Sequence, residues 1–409
     1  MTTFQITAVL VSLTAIFSYL NYRYVRLPAT IGVMLIALVS SLVLIALGDL
    51  VPVVRHASEA LLTRIDFDET LMQGMLCFLL FAGALHIDLE DLAEQKGVIA
   101  TLALAGLILS MFVFGTLVYF AFRWLGVDLG YTWCLLLGAL ISPTDPVAVL
   151  GILKSAKVPR SLEVQIAGES LFNDGIGVVA FIVLLGLAVS GKEASPLEIG
   201  TLFFEEAIGG AAFGLAIGWV AYRLLKSVDN YRVEVLITLA LVMGGYALAA
   251  TVHVSGPIAV VVAGLFIGNH GRRFAMSDTT RRNLDTFWEL IDEILNAILF
   301  LLIGLEILVL TITRQNFYAG LLAIPAILLA RWISVAVPVT LIRRRQTLPR
   351  GTIPVMTWGG LRGGISVALA LSLPAGSQRE VILAVTYVVV IFSILVQGLS
   401  LRHVVRRVI

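Results

Sequence analysis

An all-α protein that crosses a membrane many times is the fold class this sequence predicts, and three observations lead to it. Of the 409 residues, 59% are hydrophobic and only 13% charged, about half the charge of an ordinary soluble domain. The mean hydropathy is +0.99. The apolar residues gather in runs of about 20, the length of a helix across the hydrocarbon core, and do not alternate over about ten as barrel strands do. Thirteen such runs are predicted as transmembrane helices. A net charge of +1 offers no basic field for nucleic acid and no acidic tail for basic partners. The two cysteines, Cys77 and Cys134, lie inside apolar runs, which excludes a disulfide scaffold or a cysteine-rich metal site.

The positive-inside rule orients the runs in order. The first, 4–24, starts uncharged at Met1-Thr2-Thr3 and ends beside Arg23 and Arg26, so the N-terminus lies outside. That charge order is the reverse of a secretory signal. Run 28–48 returns to an acidic outer loop from Asp49 to Glu69, and run 71–89 comes back to Asp88, Glu90, Asp91, Glu94 and Lys96. Runs 97–124 and 130–153 lead to Lys154, Lys157 and Arg160 inside, and 161–190 and 198–226 to Arg223, Lys226 and Arg232. Runs 233–252 and 255–271 deliver Arg272, Arg273, Arg281 and Arg282. Runs 286–312 and 316–344 deliver Arg343, Arg344, Arg345 and Arg350, and runs 351–374 and 379–405 end on Arg402, Arg406 and Arg407 in the cytoplasm. Of 28 Lys and Arg, 20 fall inside and only Arg55, Arg64, Arg123, Lys192, Arg314 and Arg379 outside. Arg331 and Arg362 are left at membrane depth.

Thirteen reads as one helix plus two inverted repeats of six, a common transporter plan in which each half carries an interrupted helix. Both halves do. In Ser142-Pro143-Thr144-Asp145-Pro146, the two prolines lack N–H donors and free the carbonyls of Ala139 and Ser142. In Gly359-Gly360-Leu361-Arg362-Gly363-Gly364, each glycine lowers helix propensity by about 1 kcal/mol relative to alanine. Proline and glycine also kink membrane helices without further purpose, but here each interruption holds a charge.

The densest constellation is Gly168-Glu169-Ser170-Leu171-Phe172-Asn173-Asp174-Gly175. A charge at the bilayer centre costs at least about 2.5–3.5 kcal/mol, so Glu169 and Asp174 need partners or water. Four-residue spacing aligns Ser170 with Asp174, and Glu169 with Asn173 about 100° away. The first face, with Asp145 and a freed carbonyl, makes an oxygen-only cage that suits a hard cation such as sodium, where zinc would ask for histidine or cysteine. The second presents Glu169, whose expected counter-charge is Arg362.

These three motifs resemble those of the NhaP-type sodium/proton antiporters, relatives of the eukaryotic sodium/proton exchangers, and the resemblance in motif order and helix number covers nearly the whole chain. It implies an NhaA/NhaP-like fold with broken helices crossing near the midplane. It implies that Asp145 and Asp174 are the ion-binding carboxylates, with Ser170 and the Thr144 carbonyl as further sodium ligands. Asn173 becomes the neutral half of an Asn-Asp pair that accompanies electroneutral exchange, and Glu169 with Arg362 a structural salt bridge. A homodimer in the plasma (inner) membrane is implied, with 1–96 as dimerisation domain, 97–190 and 316–409 as the two halves of a transport domain, and 198–312 as interface and connecting helices. One departure stands out: many relatives carry a glutamate where Ala82 stands in Leu80-Phe81-Ala82-Gly83-Ala84-Leu85, which bears on ion affinity and pH optimum.

The exchange follows from elementary electrostatics. A desolvated carboxylate is disfavoured in its charged form, and either a proton or a bound cation relieves that cost, so the two compete for Asp174 and Asp145. No cofactor and no enzymatic chemistry is expected; the partners are monovalent cations, protons and lipid. Potassium/proton exchange is the nearest alternative. An intramembrane aspartyl protease would also use two buried aspartates, but Leu171-Phe172-Asn173-Asp174 lacks the Gly-x-Gly-Asp pattern. A channel would need a continuous selectivity pore. Elsewhere, His86 and His253 read as interfacial anchors, and Trp124, Trp133 and Trp219 as members of the interfacial belts. Arg331, with Glu306 as its available partner, reads as a structural pair or a snorkelling side chain. The stretch from Met276 to Leu290 reads as an amphipathic connector on the cytoplasmic surface.

Overall fold

A computed structural model describes residues 3–47, 74–146, 149–151, 153, 158–190, 196–308, 310, 313–344, 348–349 and 351–408. Among these residues the regular structure is entirely helical, and eight helices are long and apolar enough to cross a membrane. In chain order they and their shorter companions are α1 (Thr3–Leu20), α2 (Ala29–Ala46), α3 (Leu76–Leu85), α4 (Leu89–Glu94), α5 (Lys96–Leu125), α6 (Tyr131–Ile141), α7 (Arg160–Ser190) and α8 (Pro196–Lys226). There follow α9 (Tyr231–Thr251), α10 (Gly256–Phe266), α11 (Asp278–Glu306), α12 (Arg314–Ile342), α13 (Thr352–Trp358), α14 (Gly364–Leu371) and α15 (Ser377–Val408). The acidic loop from Asp49 to Glu69 with Arg55 and Arg64, the start of run 71–89, and Lys154, Lys157, Lys192, Arg345 and Arg350 lie outside the described residues.

Polar side chains start these helices where the apolar pattern begins. Ser255, Ser277 and Thr313 each accept a backbone N–H of the first turn, from Ile258, Thr280 and Asn316, which satisfies one of the donors a helix start leaves open. Ser277 thereby begins α11 well before the predicted start at 286. The stretch from Met276 to Leu290 is therefore not a surface connector. It holds the first turns of a long helix, with Thr280, Leu284 and Trp288 buried, and Trp288 Nε1 donates to Thr238 Oγ1 at 3.1 Å. The rule missed here is that a helix can carry a wet face toward a cavity and a dry face toward its neighbours.

Two sets of helices pack most closely among themselves. The first holds α2, α3, α8, α9, α10 and α11; the second holds α5, α6, α7, α12, α13, α14 and α15. Small residues bring backbones together in the second set: a Cβ at Gly138 on α6 would lie 2.6 Å from the Met111 carbonyl of α5. Helix α7 touches both sets, since it packs on α6 and also on α8 and α10. A side chain on α7 can therefore report to both.

Candidate functional site

The two predicted interruptions are real breaks and they meet. Helix α6 ends at Ile141 and α14 begins at Gly364, and between them the Asp145 N–H donates to the Leu361 carbonyl at 2.8 Å. The Arg362 N–H donates to Ser393 Oγ at 2.9 Å, tying the second break to α15. Gly363 is needed at the crossing, because a Cβ there would overlap the Asp145 carboxylate. That carboxylate thus sits at the N-terminal end of α14, where the helix dipole favours negative charge.

Helix α7 supplies the other half. Asn173 clamps the first break from both ends: its Nδ2 donates to Thr144 Oγ1 at 2.9 Å and its Oδ1 accepts the Thr144 N–H at 3.2 Å. Thr144 Oγ1 also lies 2.9 Å from Ser170 Oγ. The face expected to pair Asn173 with Glu169 is therefore split, with Asn173 turned toward the break together with Ser170 and Asp174. Asp174 is 6% exposed, and Asp145 and Arg362 are the charged groups whose fields act on it. Asp145 and Asp174 line one cavity, and Ser170 and Thr144, 2.9 Å apart at their hydroxyls, flank the same break; carboxylate, hydroxyl and carbonyl oxygens are the donors that suit a hard monovalent cation.

The expected salt bridge between Glu169 and Arg362 is corrected. Glu169 instead pairs with Arg331 of α12, whose Nη1 and Nη2 reach the two carboxylate oxygens, the second at 2.9 Å. Arg331 Nε donates to the Met356 carbonyl at 3.2 Å, and a Cβ at Gly360 would lie 2.5 Å from that Nε. Arg331 therefore ties α7, α13 and the second break, and is not paired with Glu306. Arg362 turns to the other interruption, where its Nη1 donates to the carbonyls of Ser142 and Pro143, the latter at 2.9 Å. The reason is local. Proline leaves the Ser142 carbonyl without a helical donor, and the end of α6 is the negative pole of its dipole, so a guanidinium finds its acceptors there.

A cavity of about 470 Å³ opens onto this site. Pro143, Asp145, Asp174 and Gly363 line its inner part, and His86, Asp88, Asp91, Arg160 and Glu163 line the part toward the arginine-rich ends of the helices. Arg160 bridges to Asp91 at 3.0 Å across that part. Helix α11 contributes Glu289, Asp292, Glu293, Asn296 and Leu299. They pass from exposed at Glu289, through half-buried at Asp292, to buried at Asn296 and Leu299. These residues were missed in the sequence, where Glu289 falls in the connector from Met276 to Leu290 and all five fall within run 286–312. Their spacing at three and four residues is the signal that would place them on one helical face. His86 ends α3, with Nδ1 2.7 Å from the Ala82 carbonyl, and lines the cavity. Ala82 itself is buried, and its neighbour Gly83 faces the cavity.

The family model described as sodium/hydrogen exchanger, transmembrane, matches residues 9–407. The Na(+)/H(+) antiporter NhaP of Pseudomonas aeruginosa is 52% identical over 409 residues, covering 99% of this chain and 96% of that protein. The Na(+)/H(+) antiporter NhaH of Halobacillus dabanensis is 35% identical over 389 residues, covering 94% and 93%. The structure of the sodium proton antiporter MjNhaP1 from Methanocaldococcus jannaschii at pH 8 shares the fold, with a TM-score of 0.74 at 18% identity over 98% of this chain and 97% of that one. Matched nearly from end to end, with its two broken helices crossed beside an Asn-Asp pair, this chain belongs to the sodium/hydrogen exchanger family.

Proposed function

We propose that this chain is a secondary antiporter that exchanges sodium for protons across the bacterial inner membrane, by competition of cation and proton for Asp174 and Asp145. The observation that carries the reading is that these two carboxylates, one from a broken span and one from an unbroken span, line a single cavity. Asp145, Asp174, Ser170 and Thr144 hold the cation. Asn173 keeps the break in place and, being neutral, leaves two acids at the centre, which supports exchange of one proton per cation.

The chain crosses the membrane thirteen times, as one helix and two inverted sets of six, with its N-terminus outside and its C-terminus in the cytoplasm. Segments 97–190 and 316–409 form the transport domain, and their mutual packing supports this. Segments 1–96 and 198–312 form the interface of a homodimer. Exposed Leu236 and Met243 of α9, with Phe204, Ile208 and Leu215 of α8, give that interface and the lipid an apolar face. The cavity opens beside Asp88, Arg160 and Glu289, on the side to which the Lys and Arg pattern assigns the cytoplasm, so the conformation is inward-open.

The test is exchange in proteoliposomes with sodium, lithium and potassium at several pH values, with and without an imposed voltage. Sodium- and lithium-driven proton flux that does not respond to voltage is expected. Preference for potassium would reassign the ion, and a voltage-dependent rate would overturn the one-for-one count. A second expectation concerns Gly363→Ala, whose methyl group must push the Asp145 carboxylate off the crossing. A misplacement of about 1 Å in such a site costs on the order of a hundredfold. Normal membrane insertion with most exchange lost is expected, and an unchanged rate would remove Asp145 from the site.

A further inference from the structure

The cavity ends at Leu299 of α11, which packs so tightly against the start of α14 that a Cβ at Gly364 would overlap its side chain. Seven residues before Leu299 stands Asp292, on the cavity wall; seven residues after it stands Glu306. Residues seven apart on an α-helix differ by only about 20° in direction and about 10 Å in height. Asp292, Leu299 and Glu306 therefore form one stripe along α11, with an apolar plug at the level of the crossing and a carboxylate about two turns to either side. Glu306 is 6% exposed and its Oε2 has no hydrogen-bond partner. Its neighbours are also unsatisfied. Tyr387, 1% exposed, has a hydroxyl without a partner, and Arg379, whose field acts on Glu306, donates from Nη2 to the Leu371 carbonyl at 3.0 Å while its Nε has no partner.

A buried unpaired polar atom costs about 1–3 kcal/mol, and three at one place beside the C-terminal end of α14 are a poor way to build a static wall. They suit a passage that is closed in this conformation. Arg379 sits in the first turn of α15, next to the exposed residues 374–377, and Tyr387 lies about 12 Å deeper along the same helix. The cluster thus runs from the surface opposite the cavity toward the crossing.

We propose that Glu306 is the carboxylate of a second vestibule, the counterpart of Asp292, which receives the hydrated cation or its replacing proton when the protein faces the other way, with Arg379 and Tyr387 positioning it. This rests on the antiport reading above. When α14 and α15 move together against α11, the packing around Glu306 loosens, and water entering the gap supplies the partners that Glu306, Tyr387 and Arg379 lack.

The test uses the full chain in proteoliposomes of uniform orientation, with sodium presented from one side at a time. Glu306→Gln is expected to raise the half-saturating sodium concentration about tenfold on the side away from the cavity and to leave the cavity side unchanged, one contact of about 1.4 kcal/mol being lost. Asp292→Asn is expected to do the reverse. Tyr387→Phe should shift the same side as Glu306→Gln by a smaller factor, and it decides the matter if Glu306→Gln does not insert. Unchanged half-saturation on both sides for Glu306→Gln, or for Tyr387→Phe where it stands in, would mean that Glu306 is a structural acid and would overturn the proposal. Asp174→Asn run in parallel separates the two levels: retained exchange there removes the competition at Asp174 on which the proposal rests, whereas its loss with symmetric Glu306→Gln kinetics removes only the second vestibule.

Discussion

Arg331→Ala is expected to remove most of the folded protein from membranes. Its side chain is 7% exposed and that of Glu169, which it grips, 1% exposed, so the substitution strands a charge with no water to receive it. Breaking a buried pair from one side costs about 3–5 kcal/mol, a large share of the roughly 5–15 kcal/mol by which a folded protein is stable. Two further losses add to this: the Met356 carbonyl loses its Nε–H donor, and a void opens beside Gly360. Glu169→Ala is expected to be about as damaging, because it strands the other half. Replacing both residues with apolar side chains should recover much of the loss, since a buried pair is worth little against well-packed hydrophobes. The measurement is folded yield and apparent Tm in detergent for a double-mutant cycle. Residues 169 and 331 should couple strongly, and Glu169 with Arg362, which act on each other through their fields without a direct contact, more weakly. The opposite ranking would restore the pair read from the sequence.

That misassigned partner marks the limit of what the chain reveals without coordinates. That the chain is an all-helical membrane protein was legible because the bilayer imposes length and apolarity on every helix independently of its neighbours. The breaks were legible because proline and glycine act on the backbone locally. Ser142 was even identified as a carbonyl in need of a donor, and it is one of the two that Arg362 satisfies. The choice between two membrane-depth arginines for Glu169, however, depends on how α7 is rotated and on which neighbour it faces, and neither property is written in local sequence. Proximity along the chain suggested Glu306 for Arg331, yet the ladder of α11 puts Glu306 on the stripe of Asp292 and Leu299, away from α12's guanidinium. The polar turn from Glu289 to Glu293 was hidden for another reason. A helix that lines an aqueous cavity has the composition of a surface helix, and only the depth of its neighbours tells the two apart.

Asp174→Asn is expected to abolish exchange altogether while the protein still inserts and folds. Asparagine keeps the shape of the side chain, so the clamp of Asn173 and Ser170 on Thr144 should persist. What is lost is the one property the mechanism needs, a group that is neutral with a proton, neutral with a cation and charged with neither. The direct electrostatic loss for a cation at contact distance is about 4 kcal/mol at an effective dielectric of 20, or about a thousandfold in affinity. Asp145→Asn should also stop exchange at ordinary sodium concentrations, yet the two variants are expected to differ when sodium is raised. With Asp174 intact, a proton acceptor remains beside the crossing, and slow exchange should return as mass action replaces the missing charge. With Asp145 alone, the remaining carboxylate lies at the N-terminal end of α14, where the helix dipole already compensates it, and no sodium concentration should restore coupled flux. Proton flux in vesicles across a wide sodium range measures both. Sodium-dependent flux surviving in Asp174→Asn would remove Asp174 from the competition on which the coupling depends and leave that role to Asp145, the other carboxylate at the crossing.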